Sequence, residues 1–149
     1  MAERYLRSIR LLAECYQAFE RHSQDNLRRR TGLTSAQFDI IATLGNTTGL
    51  TFKELGEKTL ITKGTLTGVV DRLESRGLVV RIAQIEDRRS TIVRLTDAGE
   101  QEFGRVFSPQ IKHCKLPFEN YSEKDFDALE AALGKLHAQL SSPTKNTRR

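Results

Sequence analysis

The stretch Glu86–Gly99 reads EDRRSTIVRLTDAG: four charged residues, a short alternating apolar run, then a helix-start signal. Arg88 and Arg89 stand at what reads as the tip of a hairpin. A guanidinium is planar, permanently charged and rich in N–H donors, so a loop carrying two of them can reach the electronegative minor groove of A·T-rich duplex DNA. Asp87 beside them is a poor phosphate ligand, but it can pin one guanidinium in a bidentate pair and deliver it already ordered. In isolation, the same DRR also suits a plain solvated turn.

A second group of residues precedes the loop. Wound as a helix from about Thr62 to Arg76, TKGTLTGVVDRLESR places Leu66, Val69, Val70 and Leu73 on one side. The opposite side carries Gly64, Gly68, Asp71, Arg72 and Ser75, flanked by Thr65 and Thr67. These are mostly small or hydrogen-bonding residues, unlike the long Glu/Lys mixture of a merely solvated face. Each glycine costs about 1 kcal/mol in a helix relative to alanine. Close approach of another backbone, such as a phosphate chain, is one reason to keep them there.

The flanking sequence supplies the elements that must hold these residues. Thr34–Gln37 and Thr51–Glu54 both match the capping-box pattern and predict two short helices, with Gly45 and Gly49 bracketing the turn between them. The second of these, over 51–58, is followed after a very short turn by the helix at 62–76, which fits a helix-turn-helix unit. Such pairs also occur in purely structural helical cores. Gly77 is placed to end the second helix, and two β-branched segments, 79–83 and 91–95, predict strands joined by the arginine loop. Thr96 then caps a further helix with Asp97 and Glu100 in its first turn. Phe103, Phe107 and Ile111 line that helix, which should stop before Pro117. At the ends, Tyr5, Ile9, Leu12, Tyr16 and Phe19, and again Phe126, Leu129, Leu133, Leu136 and Leu140, alternate spacings of three and four, so each set is one apolar helical stripe. Ser122, with Asp125 three residues on, caps the second of these helices. The polar tail at 141–149 is expected to be disordered.

Composition bounds the function. The 149 residues are 38% hydrophobic and 29% charged, with a net charge of +5, an ordinary globular balance with a mild basic excess that favours a polyanionic partner. No stretch approaches the roughly 18 apolar residues of a membrane span. Arg4, Arg7, Arg10 and Glu14 interrupt the N-terminal apolar positions, which argues against a secretory signal. Cys15 and Cys114 form no disulfide framework, and a cytoplasmic location is expected. His22, His113 and His137 show no metal-ligand spacing. No nucleophile–base pairing or phosphate-cradling glycine loop is visible, so neither catalysis nor a cofactor is expected.

Taken together, TKGTLTGVVDRLESRG, the following LVVR and the loop DRRSTIVRLTDAG resemble the MarR family of winged-helix transcriptional regulators. The family pattern D-x-R-[ST], strand, L-T-x-x-G is met by Asp87, Arg89, Ser90, Leu95, Thr96 and Gly99. The resemblance implies a mainly α fold with a small β-hairpin, a single domain over 1–149. Within it, 1–30 and 100–140 would be dimerisation helices and 34–98 the winged helix. It further implies a homodimer on a palindromic double-stranded DNA operator, with the 62–76 helix in the major groove and the wing in the minor groove. Thr62, Lys63, Thr65 and Thr67 fall at recognition-helix positions that meet bases or phosphates, Arg89 at the wing-tip arginine and Asp87 at the acid that orients it. Arg72 and Arg88 complete the expected contacts. Many relatives carry arginine where this chain has Gly68, which shifts expected specificity toward the helix N-terminus.

Family members often bind small aromatic or phenolic anions between the dimerisation helices and the winged helix. Here Arg10, Tyr16, Phe19, His22 and Phe38 are the candidates for such a site, although Tyr16, Phe19 and Phe38 also suit simple core packing. Some relatives sense peroxide through a first-helix cysteine, and Cys15 lies in that helix, so a redox-sensing regulator is one alternative. The other is a winged helix turned to protein docking or RNA. The expectation is a repressor released by a small ligand.

Overall fold

The computed structural model describes residues 2–84 and 90–143. The expected loop tip with Asp87, Arg88 and Arg89, and most of the expected tail, lie outside those residues. Residues Met1–Cys114 form one compact unit and Lys115–Arg149 a second.

In the first unit, α1 (Ala2–Arg30) is a single helix with Arg28, Arg29 and Arg30 in its last turn, where cations complement the carbonyl end of the helix dipole. α2 (Ser35–Leu44) opens on the full predicted capping box: Gln37 N–H donates to Thr34 Oγ1 at 3.2 Å, and Thr34 N–H donates to Gln37 Oε1 at 3.1 Å. At α3 (Phe52–Thr59) only half of the predicted box forms. Glu54 N–H donates to Thr51 Oγ1 at 3.2 Å, but the Glu54 carboxylate accepts from the Thr51 hydroxyl, not from its backbone.

α4 (Lys63–Ser75) ends at the predicted glycine for a visible reason. Gly77 has φ +72°, its N–H donates to the Glu74 carbonyl at 2.9 Å, and Leu78 N–H donates to the Leu73 carbonyl at 3.0 Å. That pair of bonds is a Schellman motif, and the buried side chains of Leu73 and Leu78 supply its usual apolar partners. β2 (Val79–Ala83) and β3 (Thr91–Leu95) pair antiparallel, with Arg81 opposite Val93. The sheet is not a bare hairpin. A two-residue strand, β1 (Leu50–Thr51), adds to the far edge of β3, giving the order β1-β3-β2. Two residues are too few to show the alternation by which a strand is read from sequence.

α5 (Asp97–Lys115) runs through Pro109 and stops before Pro117. It buries Val106 and Gln110, with Phe103 and Phe107 half-buried, whereas Ile111, expected on the same face, is 47% exposed. A strict i, i+4 row drifts about 40° per step around a helix, so the third member of the predicted row is carried to the rim. Leu27, Ile40, Ile41, Leu55, Leu66, Val70, Leu73 and Val93, all at or near zero exposure, form the centre of the core. In the second unit, α6 (Glu123–Ser141) begins at a capping box between Ser122 and Asp125. Bonds from the Ser122 backbone and hydroxyl hold the Asp125 carboxyl below its usual range.

One joint ties α4, the hairpin and α5 together. The Thr96 hydroxyl donates to the Gly77 carbonyl at the end of α4 and accepts from Gly99 N–H, at 3.1 Å, in the first turn of α5. Thr96 N–H donates to the Leu78 carbonyl at 3.1 Å. A Cβ on Gly99 would lie 2.0 Å from that same carbonyl oxygen. Gly99→Ala is therefore expected to destabilise the fold by about 1–3 kcal/mol, the range for overpacking, measured as the shift in urea unfolding. An unchanged midpoint would contradict the joint.

Candidate nucleic-acid interface

α4 separates its two faces cleanly. Leu66, Val69, Val70 and Leu73 are buried, while Thr62, Lys63, Gly64, Thr65, Thr67, Gly68, Asp71, Arg72 and Ser75 are all exposed. Among the described residues nothing lies within 4 Å of a Cβ built on Gly64 or on Gly68, so their packing explains neither glycine. Thr62 stands at the N-cap position without making the cap. Its hydroxyl instead donates to Thr65 Oγ1 at 3.1 Å, which leaves the first-turn N–H groups of α4 uncapped by that side chain. Open backbone donors, threonine hydroxyls and one lysine are the equipment needed to bond phosphate oxygens and base edges.

Sequence reading did not find Arg81. Projecting from β2, its guanidinium donates through Nη1 to Glu74 Oε1 at 2.8 Å and through Nη2 to Asp71 Oδ1, and it lies 5.5 Å from the centroid of the Phe52 ring. The bond to Asp71 leads in raising its pKa above the ordinary arginine value. Partial burial opposes the rise, and Glu74 adds to it. Seven and ten residues separate the partners, so neither helical nor strand periodicity could pair them. The only signal was a charged residue inside the apolar run VVRIA. Below Arg81, a cleft of about 760 Å³ opens between α3, α4 and β2, with Phe52, Ile61 and Leu66 in its apolar wall and Lys53 and Lys63 on its rim.

Of the five residues expected to hold an aromatic anion, Arg10, Tyr16, Phe19 and His22 lie on α1 and Phe38 on α2. Phe38 is a core residue whose ring stacks at 6.5 Å on Phe107. Arg10 pairs with Glu14 at 2.9 Å. It stands one continuous helix and about 18 Å, at 1.5 Å per residue, from His22, too far for both to grip one small molecule from the same chain. Tyr16 and Phe19 are exposed. The charges felt at Tyr16 are acidic: Glu20 foremost, then burial and Asp39, raise the phenol, and burial with Glu20 pushes the Asp39 carboxyl up to about 6.

His22 proves to face a residue 91 positions away. Its ring stacks on that of His113, centroids 4.0 Å apart, and each Nε2 meets the other residue's backbone carbonyl, at 2.9 and 3.1 Å. A carbonyl only accepts, so both rings carry a hydrogen on Nε2. Beside them, buried Gln110 donates to Ser23 and accepts from Asn26 Nδ2 at 2.7 Å, which completes a polar seam between α1 and α5. Cys15 is exposed, and Cys114 lies 3.4 Å from the Gln110 amide.

Residues 9–90 match the family model described as MarR family. The HTH-type transcriptional repressor YetL of Bacillus subtilis (strain 168) is 29% identical over 122 residues, 80% of this chain and 73% of its own length. In fold, the chain matches Sco3205, a MarR family transcriptional regulator from Streptomyces coelicolor solved in complex with DNA. The TM-score is 0.80 at 22% identity, covering 100% of this chain and 94% of that one. BpsR of Bordetella bronchiseptica, solved for the regulation of its DNA binding by 6-hydroxynicotinic acid, gives a TM-score of 0.75 at 25% identity over 86% and 91% of the two chains.

The bare glycines yield a two-sided prediction. Gly68→Ala removes backbone freedom from an exposed helix position and should stabilise the fold by about 0.5–1 kcal/mol. If a nucleic-acid backbone approaches there, the same methyl should weaken duplex binding. Thermal melting and a duplex titration on one preparation check both arms, and tighter binding by the variant would rule out close approach at Gly68.

Proposed function

The chain belongs to the MarR family and is a DNA-binding transcriptional regulator, and we propose that it acts as a homodimeric repressor whose operator is released by a small aromatic acid. The observation that carries the DNA-facing assignment is the exposed α4 face, small and hydrogen-bonding around two glycines that none of the described residues crowds. In this reading, Thr62, Lys63, Thr65 and Thr67 meet bases and phosphates in the major groove, and Arg72 meets phosphate. Arg88 and Arg89 enter the minor groove with Asp87 ordering Arg89. These last three assignments rest on the D-x-R-[ST] resemblance.

Assembly is argued from what the chain leaves uncovered. Residues 3–19 of α1 are all exposed, including Tyr5, Leu6, Ile9, Leu12, Tyr16 and Phe19, and α6 exposes Leu129, Leu133 and Leu140. Monomeric soluble proteins rarely present contiguous apolar faces of that extent. A second copy burying the same stripes under two-fold symmetry accounts for them. The repressor sense follows YetL, a transcriptional repressor, and release by a small acid follows BpsR. No helix among the described residues is long and apolar enough to cross a membrane, and we place the protein in the cytoplasm with its DNA.

A ligand acts here only if it binds the DNA-incompetent arrangement of the two α4 helices better than the competent one. A tenfold loss of operator affinity needs about 1.4 kcal/mol of such coupling.

Two outcomes are expected. Wild-type protein should sediment as a dimer and retain duplex fragments from a genomic pool, with affinity falling steeply as salt rises because displaced counterions are part of the driving force. Leu133→Glu should give monomers or unfolded protein. A well-folded monomeric wild type would overturn the assembly, and preference for RNA over duplex DNA would favour a different partner. For the effector, a panel of aromatic acids is titrated against the protein–operator complex. At least one should release it, whereas release only by peroxide, and only with Cys15 intact, would replace the ligand by a redox signal.

A further inference from the structure

Along the edge of α4 that faces β2, Lys63, Thr67, Asp71 and Glu74 succeed one another at spacings of four, four and three. The stripe therefore begins in a cation and ends in two carboxylates. Carboxylates there would face a polyanion if α4 lies against DNA, and like charges brought together across an interface weaken it. Arg81 meets both acids at once. Its side chain is 27% exposed, against 57% for Asp71 and 41% for Glu74, so the guanidinium is the more enclosed partner of each pair. We propose that Arg81 is a positioning residue that makes this face of α4 acceptable to DNA, by neutralising Asp71 and Glu74 and turning both carboxylates toward the wing strand.

The chemistry calls for arginine. Two acids one turn apart need two donors held in one plane, which the guanidinium fork supplies and the single ammonium of lysine does not. The Phe52 ring, 5.5 Å away, adds an attraction to the same cation from α3. An arginine keeps its charge at every physiological pH, and the pairing raises its proton affinity further. One residue thus links α3, α4 and β2 by charge on the side where the grooves would lie. The inference rests on α4 being the DNA-facing helix.

The test compares wild type, Arg81→Gln, the double variant Asp71→Asn/Glu74→Gln, and the triple variant combining all three changes. The probes are a duplex selected by wild type from genomic fragments and a mixed-sequence duplex of equal length. Affinity is measured across a salt series, beside thermal melting and sedimentation. Arg81→Gln should bind about tenfold or more weakly at low salt, and its deficit should shrink as salt screens the two bared carboxylates. The triple variant should recover most of the loss, because no charge then needs masking. A purely mechanical tie would leave the triple variant as weak as Arg81→Gln, and that result would overturn the proposal. So would wild-type affinity in Arg81→Gln. Should Arg81→Gln melt too low to assay, Arg81→Met, which keeps the apolar stem and removes the charge, carries the same comparison. If wild type binds no duplex at all, the DNA-facing assignment of α4 fails first and this inference with it, an outcome distinguished from the others before any variant is examined.

Discussion

Between the end of α4 at Ser75 and the start of α5 at Asp97, the chain must turn into β2 and return along β3, and both ends of that excursion meet at one junction. The Thr96 hydroxyl bridges this junction, donating to the Gly77 carbonyl and accepting from Gly99 N–H, while Leu78 accepts from the Thr96 backbone. Left-handed backbone at Gly77 and the missing side chain at Gly99 are both conditions for it. The direction of the hairpin base relative to α4 follows from this joint, and so does the starting direction of α5, whose far end meets α1 through His113 and Gln110. A change at the joint would therefore reach both the α4 surface and the seam with α1.

Buried packing lets the exposed face of α4 be chosen for something other than stability. Leu66, Val69, Val70 and Leu73 each contribute about 1.5–3 kcal/mol by leaving water, well above the roughly 1 kcal/mol that each exposed glycine costs. The inner face holds the helix, and the outer face is free to carry threonines, glycines and a masked pair of acids. Membership of the MarR family makes the chain a DNA-binding regulator, and the proposed function assigns the DNA contact to that face.

How much of this was readable in the sequence depended on the range of the interaction. Local rules located Thr34, Gly77, Thr96 and Ser122, because caps are decided by residues three or four apart. Periodicity found the α4 inner face for the same reason. Contacts between distant segments stayed hidden. The stacking of His22 on His113 and the grip of Arg81 on Asp71 and Glu74 depend on packing angles that no spacing encodes. Strand β1 was too short to leave a pattern, and Ile111 drifted off its predicted face by the ordinary winding of the helix. Gly99 was visible as a letter of the motif. Its reason, a carbonyl oxygen 2.0 Å from where a side chain would begin, was not. The expected anion site illustrates the same limit: Arg10 and His22 both lie on α1, yet the length of helix between them holds them apart.

A homodimeric repressor of this fold must present two copies of α4 to one duplex together. Hydroxyl-radical footprinting on a duplex selected by the wild-type protein tests it most directly. Two protected patches related by a dyad are expected, their centres about one helical turn, roughly 10 bp, apart or a multiple of it. A single asymmetric patch at saturating protein would contradict it.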